Sequence, residues 1–192
     1  KTELTEMPLE YTDLLTPHAK KHGEMFRRVT LDLGAKTQWK TTTTEQLLQQ
    51  IKSDGVNALY LEMVHAMGRY LLISSSGKFP PPLMGIWGGG WRADWAGGFV
   101  LNSNLNLAVS SAGMGNLPES VESLAKFIEG SLPGWRLNAK KILGTRGLLP
   151  AYYGRPDKGY ATHKNPSHWY TTSTAGWVIR PLYDYALLSG DT

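Results

Sequence analysis

Apolar residues recur at helical spacing along much of this chain and rarely alternate as they would in strands. The clearest stretch is 57–74, where Leu59, Met63, Ala66, Met67, Tyr70 and Leu71 share one side of a helix that Ser74-Ser75-Ser76-Gly77 stops. Pro17 to Leu31 predicts an earlier helix, capped by Thr16, with Phe26, Val29 and Leu33 on one side and Gly34 at its end. Thr44 to Lys52 predicts another, because Thr43 and Gln46 have capping-box spacing and Leu47, Leu48 and Ile51 form an apolar stripe. Four more follow: from Asn102 or Asn104 to Met114, Pro118 to Glu129 with Gly130 as its stop, Trp135 to Leu143, and Ser173 to Leu188. In the Pro118 helix, Val121, Leu124, Phe127 and Ile128 should face inward, and Pro181 should kink or divide the last helix.

The connections carry their own signals. Residues 1–16 mix Thr, Glu and Leu without a period and form a lead-in segment to the domain, 17–192. Phe79-Pro80-Pro81-Pro82 is rigid and extended, since each proline disfavours helix at the residue before it. Residues 147–170 hold Pro, Gly, Tyr and His with no helical period, and one short strand at Leu148–Tyr152; loops of that length in compact domains are usually functional. About seven helices, two long aromatic loops and almost no strand predict an all-α fold. Helical hairpins with long loops at one end suit an α/α toroid.

Composition narrows the function classes. At 192 residues and 41% hydrophobic content the chain can bury a core of ordinary domain size. It has no cysteine, which removes disulfides and thiolate chemistry. No apolar run is long enough to span a membrane. The net charge of +4 is scattered in the pairs Lys20-Lys21, Arg27-Arg28 and Lys140-Lys141, which fit solvated helix faces rather than a nucleic-acid track. Neither nucleic acid nor membrane is therefore an expected partner. The first residue is Lys and no signal peptide is visible, which predicts a mature form or a cleaved piece.

The candidate chemistry lies in the tryptophan loop, Gly85-Ile86-Trp87-Gly88-Gly89-Gly90-Trp91-Arg92-Ala93-Asp94-Trp95. Indoles spaced by glycines have few aliphatic neighbours to pack on, but a pyranose offers them an apolar face. Asn102, Asn104 and Asn106 follow, and amides both donate to and accept from hydroxyls. A carbohydrate cleft and an aromatic-stapled surface loop both satisfy this pattern. Tyr152, Tyr153 and Tyr160, with Trp169 and Tyr170, can wall a sugar chain or pin the long loop. His163 and His168 can reach the same pocket or stand in solvent. His18 and His22 lie four apart on a helix but lack an obvious third ligand, so no metal site is expected. No pair among Asp94, Asp157 and Asp184 has a spacing that implies acid and base roles.

An ordered set of motifs resembles glycoside hydrolase family 95, a family of inverting α-L-fucosidases and relatives that take L-galactose. The set opens with His18-Ala19-Lys20-Lys21-His22-Gly23-Glu24-Met25-Phe26-Arg27-Arg28-Val29-Thr30-Leu31-Asp32-Leu33-Gly34. It continues through Gly68-Arg69-Tyr70-Leu71, Pro82-Leu83-Met84-Gly85-Ile86-Trp87, Asn102-Ser103-Asn104-Leu105, Asn116-Leu117-Pro118-Glu119, Gly144-Thr145-Arg146-Gly147, Trp177 and Ser189-Gly190-Asp191. The resemblance implies an (α/α)6 barrel that requires no cofactor. It implies that Asn102 and Asn104 hold the attacking water; beside them Trp87, Trp91, Trp95, Arg146, Tyr152, Tyr153, His163 and His168 are the candidate sugar-binding residues of this chain. It also implies a secreted protein, extracellular or periplasmic.

The chain departs from the family in four places. Val100 stands where the family has His, and Gly98 where it has Asp. Leu148-Leu149-Pro150-Ala151-Tyr152-Tyr153 follows Arg146-Gly147 where fucosidases carry a His-His-Asn stretch. The family's general-acid Glu, and the carboxylate that works with the asparagines, lie beyond Thr192. The expectation is therefore the N-terminal half of a barrel, completed by a missing C-terminal portion or a partner chain. The alternative is a glycosidase-like scaffold that binds sugar or assembles with partners without turnover.

Overall fold

The computed structural model describes residues 7, 8, 10–35, 37–92, 97–154, 159 and 173–190. They form helices α1 (Tyr11–Phe26), α2 (Thr44–Asp54), α3 (Ala58–Ser75), α4 (Asn104–Val109), α5 (Pro118–Asn138), α6 (Thr174–Val178) and α7 (Arg180–Ser189). Two short strands, β1 (Phe99–Val100) and β2 (Tyr153–Gly154), pair antiparallel. The class is all-α, as the periodicity predicts. The chain divides into two compact units, Lys1–Tyr70 and Leu71–Thr192. No described helix is long and apolar enough to cross a membrane.

In the first unit the core joins Ala35, Leu47 and Leu59, with Ile51, Ala58, Tyr60 and Met63 packed around them. The α2 capping box forms as its spacing predicts: Thr43 Oγ accepts from Gln46 N–H at 3.3 Å, and Gln46 Oε1 accepts from Thr43 N–H at 2.9 Å. Leu48 does not join the stripe; it is exposed. Asn57 opens α3 by accepting from the Tyr60 amide at 2.9 Å.

α1 departs from expectation at both ends. It begins at Tyr11 and takes Pro17 into its interior, so residues 11–16 are helical rather than an irregular lead-in. Residues 10–20 are all exposed, and water can satisfy the carbonyl that Pro17 leaves without an N–H partner. The helix stops at Phe26, well short of Leu31, because α3 intercepts the chain. Arg69 Nη2 donates to the Met25 carbonyl at 2.8 Å and Nε to Phe26 at 3.3 Å, satisfying carbonyls a helix end leaves open. Two turns earlier on the same face, Glu62 accepts from the amides of Leu33 at 2.6 Å and Ala35 at 3.2 Å and from the Trp39 indole at 2.7 Å. Two α3 side chains thus seat the segment that follows α1. The Trp39 indole, then the Leu33 amide, hold the Glu62 carboxyl below its ordinary pKa.

His22 lies between His18, Phe26 and Tyr70, with ring centroids 5.4–5.9 Å apart. Burial first, and the neighbouring His18 second, lower its pKa. No group of three metal-ligating side chains occurs among the described residues.

In the second unit α5 is one helix where two were expected. Gly130 costs about 1 kcal/mol and Pro133 about 3 kcal/mol relative to alanine in a helix interior. Burying a large side chain such as Trp135 contributes about 1.5–3 kcal/mol. Beside it, Asn138 donates to the carbonyls of Leu149 and Gly159, both at 3.1 Å, each bond adding about 1 kcal/mol. Tertiary contacts downstream of the two breakers therefore offset them. The helix runs on through a π turn, Ala139–Leu143, and ends where Gly144 turns left-handed (φ 66°).

α4 is shorter than predicted and gives way to turns before Met114. The last helix divides at Ile179, and Pro181 enters the first turn of α7. α4 packs against α5, α6 and α7, with Leu105, Val109, Leu124, Phe127 and Val178 in the core. Tyr183, Leu187 and Leu188 on α7 remain exposed.

Candidate functional site

β1 delivers the Asn-x-Asn motif. Phe99 is buried against Phe127, ring centroids 4.7 Å apart, and the chain then turns through Leu101 into α4. Leu101, Leu105 and Val109, four apart, are each buried, so the intervening positions split by direction. Asn102 and Asn104 are exposed, whereas Asn106 is buried and its Nδ2 donates to the Trp177 carbonyl at 2.5 Å. Ser103 occupies the N-cap position of α4 without a side-chain cap bond, and among the described residues neither exposed amide is hydrogen-bonded to the helix start. Two amides directed at solvent can orient a water or a hydroxyl.

β2 brings the tyrosines beside this motif. Val100 pairs with Tyr153, Phe99 with Gly154, and the Leu101 amide donates to the Tyr152 carbonyl at 2.5 Å. The Tyr153 ring lies over Gly98: a Cβ added there would sit 2.0 Å from its Cζ and 2.1 Å from its hydroxyl. The missing side chain at position 98 and the tyrosine are one steric unit. Burial, and then Tyr153, push the Tyr152 phenol above its ordinary pKa. Gly98→Ala should destabilise the second unit by about 1–3 kcal/mol, as overpacking does. Added to a Tyr153→Ala chain the same change should be nearly neutral, a coupling that denaturant unfolding of the four variants would measure.

The tryptophan loop begins with a left-handed Gly85 (φ 56°), over which Trp87 folds back; a Cβ there would meet its ring at 2.7 Å. Trp87 is partly exposed, and Trp91 is fully exposed at 106%. Trp95, His163 and His168 lie outside the described residues, as do Asp94, Asp157, Tyr160, Trp169 and Tyr170. Arg146 lines a cavity of about 600 Å³ with Arg136, Lys140 and Thr145, and neither asparagine nor Trp87 nor Trp91 is among its walls. Sequence reasoning missed two features here. Gly98 stood out only as a departure from the family, because its pairing with Tyr153 is visible only beside the ring that covers it. Arg136 and Lys140, four apart ahead of Gly144-Thr145-Arg146, gave a signal that the pairwise view of surface charge overlooked.

The family model of the glycosyl hydrolase family 95 catalytic domain matches residues 10–192. The chain is 29% identical over 182 residues to "Alpha-L-fucosidase 2" of Arabidopsis thaliana, covering 90% of this chain and 20% of that protein. It is 29% identical over 143 residues to "Probable alpha-fucosidase A" of Aspergillus oryzae, covering 71% of this chain and 20% of that protein. It spans about a fifth of the length of these relatives. With the match running through nearly all of it, the chain belongs to the family of the glycosyl hydrolase family 95 catalytic domain.

Proposed function

We propose that this chain supplies part of the active site of an inverting glycoside hydrolase that cleaves α-linked, fucoside- or galactoside-like sugars from oligo- or polysaccharides. The observation that carries the reading is the pair of exposed amides, Asn102 and Asn104, at the mouth of α4 beside the tyrosines of β2. An inverting enzyme holds one water between acid and base, and amides can orient it. They cannot take its proton, so a carboxylate must stand near. That carboxylate and the general acid belong to the rest of the catalytic domain. The rest of the (α/α)6 ring, or a complementary chain, covers the apolar face of α7. The fully exposed Trp91 serves as a platform for a pyranose, the whole acts in the extracellular or periplasmic space, and no cofactor is required.

Full-length protein screened on aryl α-L-fucosides and α-L-galactosides, with the product anomer followed by NMR, tests this. Turnover with inversion is expected. Retention would remove the mechanism, and no turnover on any glycoside would remove the hydrolase. The second reading, sugar binding without turnover, draws on Gly98, Val100 and the Tyr153 ring that closes over the glycine. It predicts glycan binding that persists where hydrolysis is absent.

A further inference from the structure

We propose that the cavity at the C-terminal end of α5 binds an oxyanion carried on a saccharide, a uronic carboxylate or a sulfate ester. Arg136 and Lys140 lie one turn apart and share a face. The chain then reverses at Gly144, and a second left-handed glycine, Gly147 (φ 123°), turns it again, so that Arg146 joins them around a space of about 600 Å³. No carboxylate is among the described residues that line it, and Thr145 adds a hydroxyl.

Cations at a helix C-terminus are stabilised by its partial negative charge, which accounts for Arg136 and Lys140. It does not account for Arg146, which lies past the turn and brings a third like charge into the same cavity. An anion offsets that repulsion, and two guanidinium groups can each pair with two oxygens of a planar carboxylate or a tetrahedral sulfate. The described walls include no aromatic ring on which a base could stack, and three cations around one cavity make a point site rather than a track along a nucleic-acid backbone. The saccharide part of the assignment rests on the proposed function; the anion part stands on the cavity.

Binding of the full chain to dextran sulfate, polygalacturonate, neutral dextran and oligothymidylate, followed by titration calorimetry at fixed ionic strength, tests this. One or both anionic glycans should bind and dextran should not, the two distinguishing sulfate from carboxylate. The Arg136→Gln/Lys140→Gln/Arg146→Gln chain should bind them roughly tenfold or more weakly, as loss of charged hydrogen bonds implies. A control with the same loss of charge, Lys20→Gln/Lys21→Gln/Lys52→Gln, should stay within about twofold, since isolated surface charges contribute little. All six positions are exposed, so both variants keep the fold. Equal weakening in the two variants, absence of binding to either anionic glycan, or equally tight oligothymidylate binding that the cavity variant weakens would overturn the site. Failure of the glycoside screen would leave these outcomes unaffected, so the two proposals can fail separately.

Discussion

Asn104→Ala in the full-length protein should lower turnover by about 10²–10³-fold, the loss expected when a preorganised polar group is taken from a reaction site. The fold should survive, because Asn104 is exposed and only starts α4, while Leu105 beside it holds the helix in the core. The split between kinetic parameters is diagnostic. A residue that orients water acts mainly in the transition state, so kcat and kcat/KM should fall together with KM little changed. Asn106→Ala supplies the contrast: that amide is buried on the Trp177 carbonyl, and its loss should reduce stability first. Unchanged kcat in a folded Asn104→Ala enzyme would remove the water-holding role.

Glu62→Leu should lower the stability of the first unit strongly, on the order of 10 °C in Tm. The carboxylate serves three donors at once, the amides of Leu33 and Ala35 and the Trp39 indole. An apolar replacement leaves donors without an acceptor, while Glu62→Gln keeps one carbonyl oxygen and should fall between the two. The Leu33 and Ala35 amides should lose hydrogen-exchange protection in the Leu variant. The pH dependence follows from the depressed pKa. A carboxyl whose folded pKa lies below its unfolded value stabilises in full above that unfolded value, near 4.5, and the contribution is lost as pH falls through the folded pKa. The wild-type chain should thus lose stability on the acid side more steeply than Glu62→Gln, which carries no titrating group there. Matching acid limbs in the two proteins would show that the carboxylate is not the group responsible.

Residues a few positions apart decided much of this protein by themselves. The Thr43–Gln46 box sets the start of α2, the apolar period marks α3, and Pro181 divides the final helix, each through contacts or steric limits within one or two turns. The period does not settle burial, however: Met67, Tyr70 and Leu71 of the expected stripe are exposed, as are Leu61 and Val64. The asparagine motif and the glycine-spaced indoles were legible as residue types.

Tertiary structure alone decided the rest. Three asparagines alternate in sequence, yet the helix phase set by Leu101 and Leu105 turns two outward and one inward. Where α1 ends depends on Arg69 and Glu62, more than forty and nearly thirty residues away from the groups they bind. The pairing of β1 with β2, the ring over Gly98 and the passage of α5 through Gly130 and Pro133 likewise depend on partners distant along the chain. Local propensities differ by about 1–3 kcal/mol, and burial or a satisfied polar group supplies as much from afar. The direction a side chain faces is therefore settled only when the packing partner is in place.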